Sequence, residues 1–351
     1  MYEVPCGVFN RNYNEEMAIV RTRRRWILLI AGGLILLAAP YYLSESMLTT
    51  LITMAIWTVA ALGLNFLTGY CGEISIGHAA FMGIGAYASA ILATDYSFPF
   101  WVALPCAALF TGMIGLIFAL PATRMKGFYL AIVTLAAQVI FSWVAYKWRD
   151  LTGGHEGMMV PSPQIGEWVL DTEKNWFYIS AIVALIMGIG AKNMARSNVG
   201  RAFVAIRDND LAAEVMGINL FKYKSIAFFI GCAYAGVAGS MWGHWVMHIS
   251  PEHFSLHESI WYLGMIIVGG MGKIMGPVFG VVFVFFLQRI ITITVPYIGE
   301  LFPAFSTQLL SSFGLIVFGA VVAFFLIFEP RGIAHLWDKF KNYYRLWPFT
   351  Y

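Results

Sequence analysis

A carboxylate, a hydroxyl and an imidazole fall within six residues of one another at Glu73, Ser75 and His78, in the stretch Gly69-Tyr70-Cys71-Gly72-Glu73-Ile74-Ser75-Ile76-Gly77-His78. Apolar sequence of membrane-helix character leads into this stretch and resumes after it. A bilayer tolerates glycine-rich, interrupted backbone only beside protein or a watery cavity, where the freed amide groups find partners. The stretch therefore reads as part of a translocation path rather than a plain anchor. Tyr70, Glu73, Ser75 and His78 would supply polarity, while Asn65, Gly69, Gly72 and Gly77 complete the candidate lining and the glycines let backbone approach a solute closely. The competing reading is that these residues only satisfy each other at a helix break.

Other chemistry is poorly supported. Gly272-Lys273 is the one Gly-Lys pair, but Ile267 stands where a nucleotide-binding loop needs its first glycine, and Ile274 rather than Ser or Thr follows the lysine. Energy for transport would have to come from another chain. His244, His248, His253 and His257 crowd into fourteen residues with two H-x-x-x-H spacings, which raises a membrane metalloenzyme as an alternative. The remaining histidines are scattered, and His155-Glu156 lacks a second histidine at position 159, so no metal site is expected. Cys6, Cys71, Cys106 and Cys232 form no ligand spacing and no disulfide framework.

A second stretch, residues 200–219, is rich in alanine and charge. Residues 201–216 lack helix breakers and interleave charges with Phe203, Ile206, Leu211, Val215 and Met216, so one amphipathic helix is expected, stopped at Gly217. It is too polar to span a membrane. Charge and apolar spacing alone would lay it along the lipid headgroups.

The elements that must hold these stretches are membrane helices. The chain is 60% hydrophobic and 12% charged, with a mean hydropathy of +0.72, whereas soluble domains average about 25% charged residues. Ten apolar segments are read, near 26–43, 47–67, 77–94, 100–121, 127–146, 176–191, 224–247, 258–270, 277–295 and 307–328. The expected fold is all-α and polytopic, with about 8–10 transmembrane helices and broken glycine-rich segments. Residues 258–270 are too short for a straight crossing and are expected to break against Gly269-Gly270-Met271-Gly272. Basic residues before the first apolar run also describe a secretory signal, but the run is long enough to be a retained helix.

Lysine and arginine set the expected orientation. With the N-terminus inside, the inner segments hold most of them, including Arg23, Arg124, Lys126, Arg201, Arg207, Lys222, Lys224, Lys273 and Arg331, and the outer ones only Lys147, Arg149 and Lys174. The organisation expected is a cytoplasmic segment 1–25, a transmembrane domain 26–333 and a cytoplasmic tail 334–351. Residues 147–175 then form an external loop and 192–223 a cytoplasmic one. The two glycine interruptions, Gly72 to Gly77 and Gly272 to Pro277, form a faint internal echo, and transporters often place their path where such broken segments meet.

Gly63-Leu64-Asn65, Gly69-Tyr70, Gly72, Ser75, Gly77-His78-Ala79-Ala80-Phe81 and Gly83 to Tyr87 resemble the signature of LivM-type permeases, the membrane subunits of ATP-driven importers of branched-chain and other hydrophobic amino acids. Cys71 and Glu73 depart from the usual pattern. Ala212-Ala213-Glu214 with Gly217 is similar to the coupling motif of such importers, and Leu151 to Gly157, Ile249 to Phe254 and Gly269 to Gly280 resemble further family stretches. The resemblance implies a permease subunit without catalysis of its own, binding no cofactor, with ATP used by partner subunits. It implies a homologous second permease of LivH type, two ATP-binding subunits of LivG/LivF type and an external solute-binding protein, in a bacterial inner membrane with both termini cytoplasmic, and no nucleic acid. Arg201, Arg207, Asp208, Asp210, Glu214 and Gly217 would then contact the ATPase. Cargo within the family also includes urea, amides and aromatic acids, and a secondary transporter remains the reading without partners.

Overall fold

The computed structural model describes residues 23–122, 125, 127–165, 168–301 and 307–346. Residues 1–22 of the expected N-terminal segment, Arg124 and Lys126 of an inner loop, and residues 347–351 of the tail lie outside the described residues. Each apolar segment becomes a helix: Arg23–Tyr42, Glu45–Leu64, His78–Thr94, Phe100–Ala122, Phe128–Lys147, Glu173–Arg196, Leu220–Val246, Leu256–Gly269, Met275–Leu301 and Thr307–Phe328. Among the described residues, six helical stretches are long and apolar enough to cross a membrane, or seven if Phe313–Phe328 and Ile333–Tyr343, bent by 49°, form one span. Ile30–Tyr42 and His78–Thr94 are shorter apolar helices. The chain is thus an all-α polytopic membrane protein, apart from two-residue ladders pairing Met158–Met159 with His248–Ile249 and Gln164–Ile165 with Trp168–Val169.

The chain divides into two compact units, residues 1–49 and 50–351, and the geometry that follows belongs to the second. Its core is the Leu220–Val246 helix, 78% buried over its apolar window against 22–50% for the other long spans. A helix apolar on all sides suits such a position. It packs most extensively on Phe100–Ala122 and His78–Thr94. Small residues allow this: a Cβ at Gly85 would run into the backbone of Gly236, and one at Gly239 into the carbonyl of Met82. Lipid gives helices no hydrophobic drive to associate, so such close backbone approach is a main source of their attraction.

The short Leu256–Gly269 helix does stop at the glycine turn, where Gly270 takes a φ of 115°. Met275–Leu301 follows directly.

Candidate functional site

The Glu45–Leu64 helix does not end cleanly. It runs into one π turn, Asn65–Tyr70, in which Cys71 N–H donates to the Phe66 carbonyl at 3.1 Å and Glu73 N–H to that of Leu67 at 2.9 Å. Wide turns of this kind free backbone groups and are frequent at functional positions. Residues 71–77 then carry no regular structure, and their burial alternates as in extended chain. Cys71, Glu73 and Ser75 turn inward, while Gly72 and Ile74 are exposed.

The helix beginning at His78 leaves orphan N–H groups at its start, as every helix does. Side chains from two other elements take them. Ala79 N–H donates to Ser259 Oγ at 2.9 Å and Ala80 N–H to Gln138 Oε1 at 2.9 Å. Ser259 Oγ also donates to Gln138 Oε1, and Gln138 Nε2 donates to the Phe254 carbonyl. Thr134 Oγ1 accepts from Ile76 N–H at 3.0 Å. The break is therefore held by the Phe128–Lys147 and Leu256–Gly269 helices. His78 Nε2 donates to the Ala60 carbonyl at 2.9 Å, while Ser75 Oγ and His78 Nδ1 are buried without a hydrogen-bond partner among the described residues.

The two glycine interruptions meet. Asn65 donates through Nδ2 to the Lys273 carbonyl at 3.0 Å and accepts at Oδ1 from Gly272 N–H at 2.9 Å. Any Cβ on Gly69 would collide with both Asn65 Oδ1 and Gly272 N. The faint sequence echo is thus a physical junction, with one interruption clasping the other.

The second stretch differs from the single helix expected over 201–216. Two helices form, Asn198–Asp208 and Asp210–Val215, with Asn209 extended between them at φ −162° and ψ 107°. The reason is local. The Asn209 side chain accepts from Ala212 N–H at 3.0 Å, making it an N-cap that starts a new helix rather than a residue within one. The break separates the apolar residues that one helix would have aligned. Phe203 and Ile206 are buried, whereas Leu211, Val215 and Met216 are 65%, 87% and 82% exposed. Gly217 ends the second helix at φ +87°, its N–H donating to the Glu214 carbonyl and that of Ile218 to Ala213.

Arg207 joins the two stretches. Its Nη1 donates to the Gly69 carbonyl at 3.0 Å, while Nε and Nη2 grip Asp208 Oδ1 at 3.0 and 2.8 Å. Its stem runs against Gly72, where a Cβ would lie 3.0 Å from Arg207 Cγ. Beside it, Lys224 Nζ meets Glu73 Oε1 at 2.5 Å with both side chains almost wholly buried. Lys224, read as a cation at the inner end of the 224–247 segment, lies near the start of the Leu220–Val246 helix and is 2% exposed, where a buried carboxylate needs a counter-charge. These groups, with Cys71, Asn209 and Asp210, line a cleft of about 390 Å³.

Of the candidate path residues, Gly72 and Glu73 line that cleft; Asn65, Gly69, Tyr70, Ser75, Gly77 and His78 are packed inside the chain. Of the candidate coupling residues, Arg207, Asp208 and Asp210 line it. Arg201 bonds the carbonyl of Arg196 and the side chain of Asn198, Glu214 lies exposed on the second short helix, and Gly217 lies exposed just past its end. Sequence reasoning missed Lys224, Gln138, Thr134 and Ser259. The available signal was a polar or charged side chain within a strongly apolar tract, where it must have a partner. The crowded histidines bond to different partners, His248 Nε2 to the Glu156 carbonyl, His257 to Trp261 Nε1 and His244 Nδ1 to the Ser240 carbonyl, and among their rings only those of His248 and His253 meet, edge to face at 6.3 Å. Among the described residues no group of three ligand-type side chains could hold a metal ion.

Residues 46–326 match the family described as "Branched-chain amino acid transport system / permease component". The high-affinity branched-chain amino acid permease protein LivM of Salmonella typhimurium is 30% identical over 278 residues, 72% of this chain and 65% of its own length. The corresponding LivH of Escherichia coli is 24% identical over 263 residues, covering 68% of this chain and 82% of that protein. The ribose import permease RbsC of Haemophilus influenzae is 21% identical over 288 residues, covering 79% and 87%. No solved structure gives a significant match.

Proposed function

Because the chain belongs to the branched-chain amino acid transport system permease family, we propose that it is one of two permease subunits of an ATP-driven importer of hydrophobic amino acids. One observation carries the mechanism: Arg207, on the Asn198–Asp208 helix, donates to the Gly69 carbonyl at the membrane break. A push on the paired short helices reaches the broken segment through one hydrogen bond and the buried Glu73–Lys224 pair. Leu211, Val215 and Met216 form an exposed apolar knob beside Glu214, which suits seating in a cleft of a nucleotide-binding partner. This face is cytoplasmic in the reading, with the Met158–Ile249 ladder on the outer side for an external solute-binding protein.

The polar side chains of the break turn inward, so the solute passes the other side of the strand. Gly72 and Ile74 are exposed there, and a sister permease facing them would complete the path. Ile74 puts an apolar side chain on that side, as suits a hydrophobic amino-acid cargo. The relatives LivM and LivH, both branched-chain amino acid permease proteins by name, support that choice.

The test is purification of the chain with its membrane partner. Co-elution of a second permease and two ATP-binding subunits is expected, with ATPase activity rising when a binding protein loaded with leucine, isoleucine or valine is added. Ion-driven uptake by this chain alone would overturn the ATP-driven reading. Stimulation by another solute class alone would overturn the cargo.

A further inference from the structure

His244 lies twenty residues beyond Lys224 on the same helix, which at 1.5 Å per residue places it about 30 Å from the charged cleft. It lines a second cavity of about 340 Å³, near the lower end of the roughly 300–1,000 Å³ range of small-molecule pockets. Phe98, Pro99, Phe100, Pro161 and Pro163 give the cavity stiff apolar walls, and Ser97, Ser162 and Gln164 add neutral polar groups. Val160 N–H donates to the Met247 carbonyl at 3.0 Å and Met158 pairs with Ile249, so the proline wall is tied to the end of the central helix. The Phe100 ring packs on the imidazole at 4.9 Å.

The imidazole is 1% exposed and its two nitrogens are not equivalent. Nδ1 lies 3.0 Å from the Ser240 carbonyl, which can only accept, so Nδ1 carries the proton of the neutral ring. Nε2 is therefore a lone-pair acceptor, and it is buried without a hydrogen-bond partner among the described residues. Such an acceptor is costly to leave unmade. No lining side chain among the described residues is charged. A zwitterionic amino acid would bring two charges to walls that cannot balance them.

We infer that this cavity is a binding site, separate from the transport path, for a neutral small molecule with an apolar, ring-sized body and one N–H or O–H donor for His244 Nε2. The inference does not depend on which solute the permease carries.

The probes are indole, which has the ring and the donor, and 1-methylindole, which keeps the ring and loses the donor. Ligand-observed NMR titrations on the full chain in lipid nanodiscs, with empty nanodiscs subtracting membrane partitioning, give saturable indole binding and at least about tenfold weaker 1-methylindole binding. In His244→Leu the preference for indole disappears. Ser162→Trp, a change in the half-buried rim loop that leaves the imidazole intact, fills the cavity and abolishes saturable binding while elution volume and helix content stay as in the parent. Signals equal to those of empty nanodiscs, or 1-methylindole binding as tightly as indole, overturn the assignment.

Discussion

Replacing Lys224 by Met keeps most of the side-chain volume and removes only the charge facing Glu73. The two side chains are 3% and 6% exposed and their charged atoms lie 2.5 Å apart. At an effective dielectric near 20, the gross attraction at that distance is about 6–7 kcal/mol. Desolvation of both ions cancels much of it, so the pair as a whole contributes little beyond an apolar replacement. Breaking it is another matter, because the survivor stays buried with its charge. Lys224→Met and Glu73→Met should each cost about 3–5 kcal/mol, while the double variant should recover to within about 1–2 kcal/mol of the parent. The assay is equilibrium unfolding of the full chain in mixed micelles, followed by tryptophan fluorescence, analysed as a double-mutant cycle. Costs that simply add in the double variant, or single costs below about 1 kcal/mol, would refute the reasoning that the two charges act as one unit.

Gly69→Ala places a methyl group against Asn65 Oδ1 and the Gly272 amide; the clasp must open, at about 1–3 kcal/mol, and protease cutting near residue 272 should increase. Gly217→Val meets no neighbour but forces a β-branched residue to φ +87°, costing about 1–2 kcal/mol; the chain should still insert and assemble, with ATPase stimulation by the binding protein lost. Burial alone would raise the Asp338 carboxyl, but hydrogen bonds and charge from Lys273 and Lys341 outweigh it and hold the group below the usual carboxylate value. A carboxyl held low stabilises the fold above its unfolded pKa and loses that contribution as pH falls through the folded value. Docking of the Ile333–Leu346 helix should therefore loosen only in acid, below about pH 4, and Asp338→Asn should loosen it at neutral pH, both read as faster proteolytic removal of the tail.

Sequence alone located every long helix, since an apolar run of twenty residues has few other destinies, and it located both glycine breaks. It also identified Gly217 as a helix end, and the left-handed backbone there is the reason that residue is glycine. It misjudged Asn209, because nothing in composition separates an asparagine inside a helix from one that caps the next. The Glu73–Lys224 pair was illegible for a different reason. The partners are far apart in the chain, and a lysine near the end of an apolar segment counts equally well as a loop cation until the fold shows what it faces. Gln138 is similar: its three bonds reach two other helices and a loop, none of them adjacent in sequence.

The Leu220–Val246 helix is pinned near its middle, where Gly231, Gly236 and Gly239 bring its backbone against neighbouring chain. A rod held at its waist behaves as a first-class lever. Over the roughly 30 Å between Lys224 and His244, a tilt of about 5° moves one end against the other by about 2.5 Å, more than a hydrogen bond can stretch. A displacement applied at the Lys224 end would therefore reach the walls around His244 through the backbone itself, and a wedge placed at the His244 end would resist it.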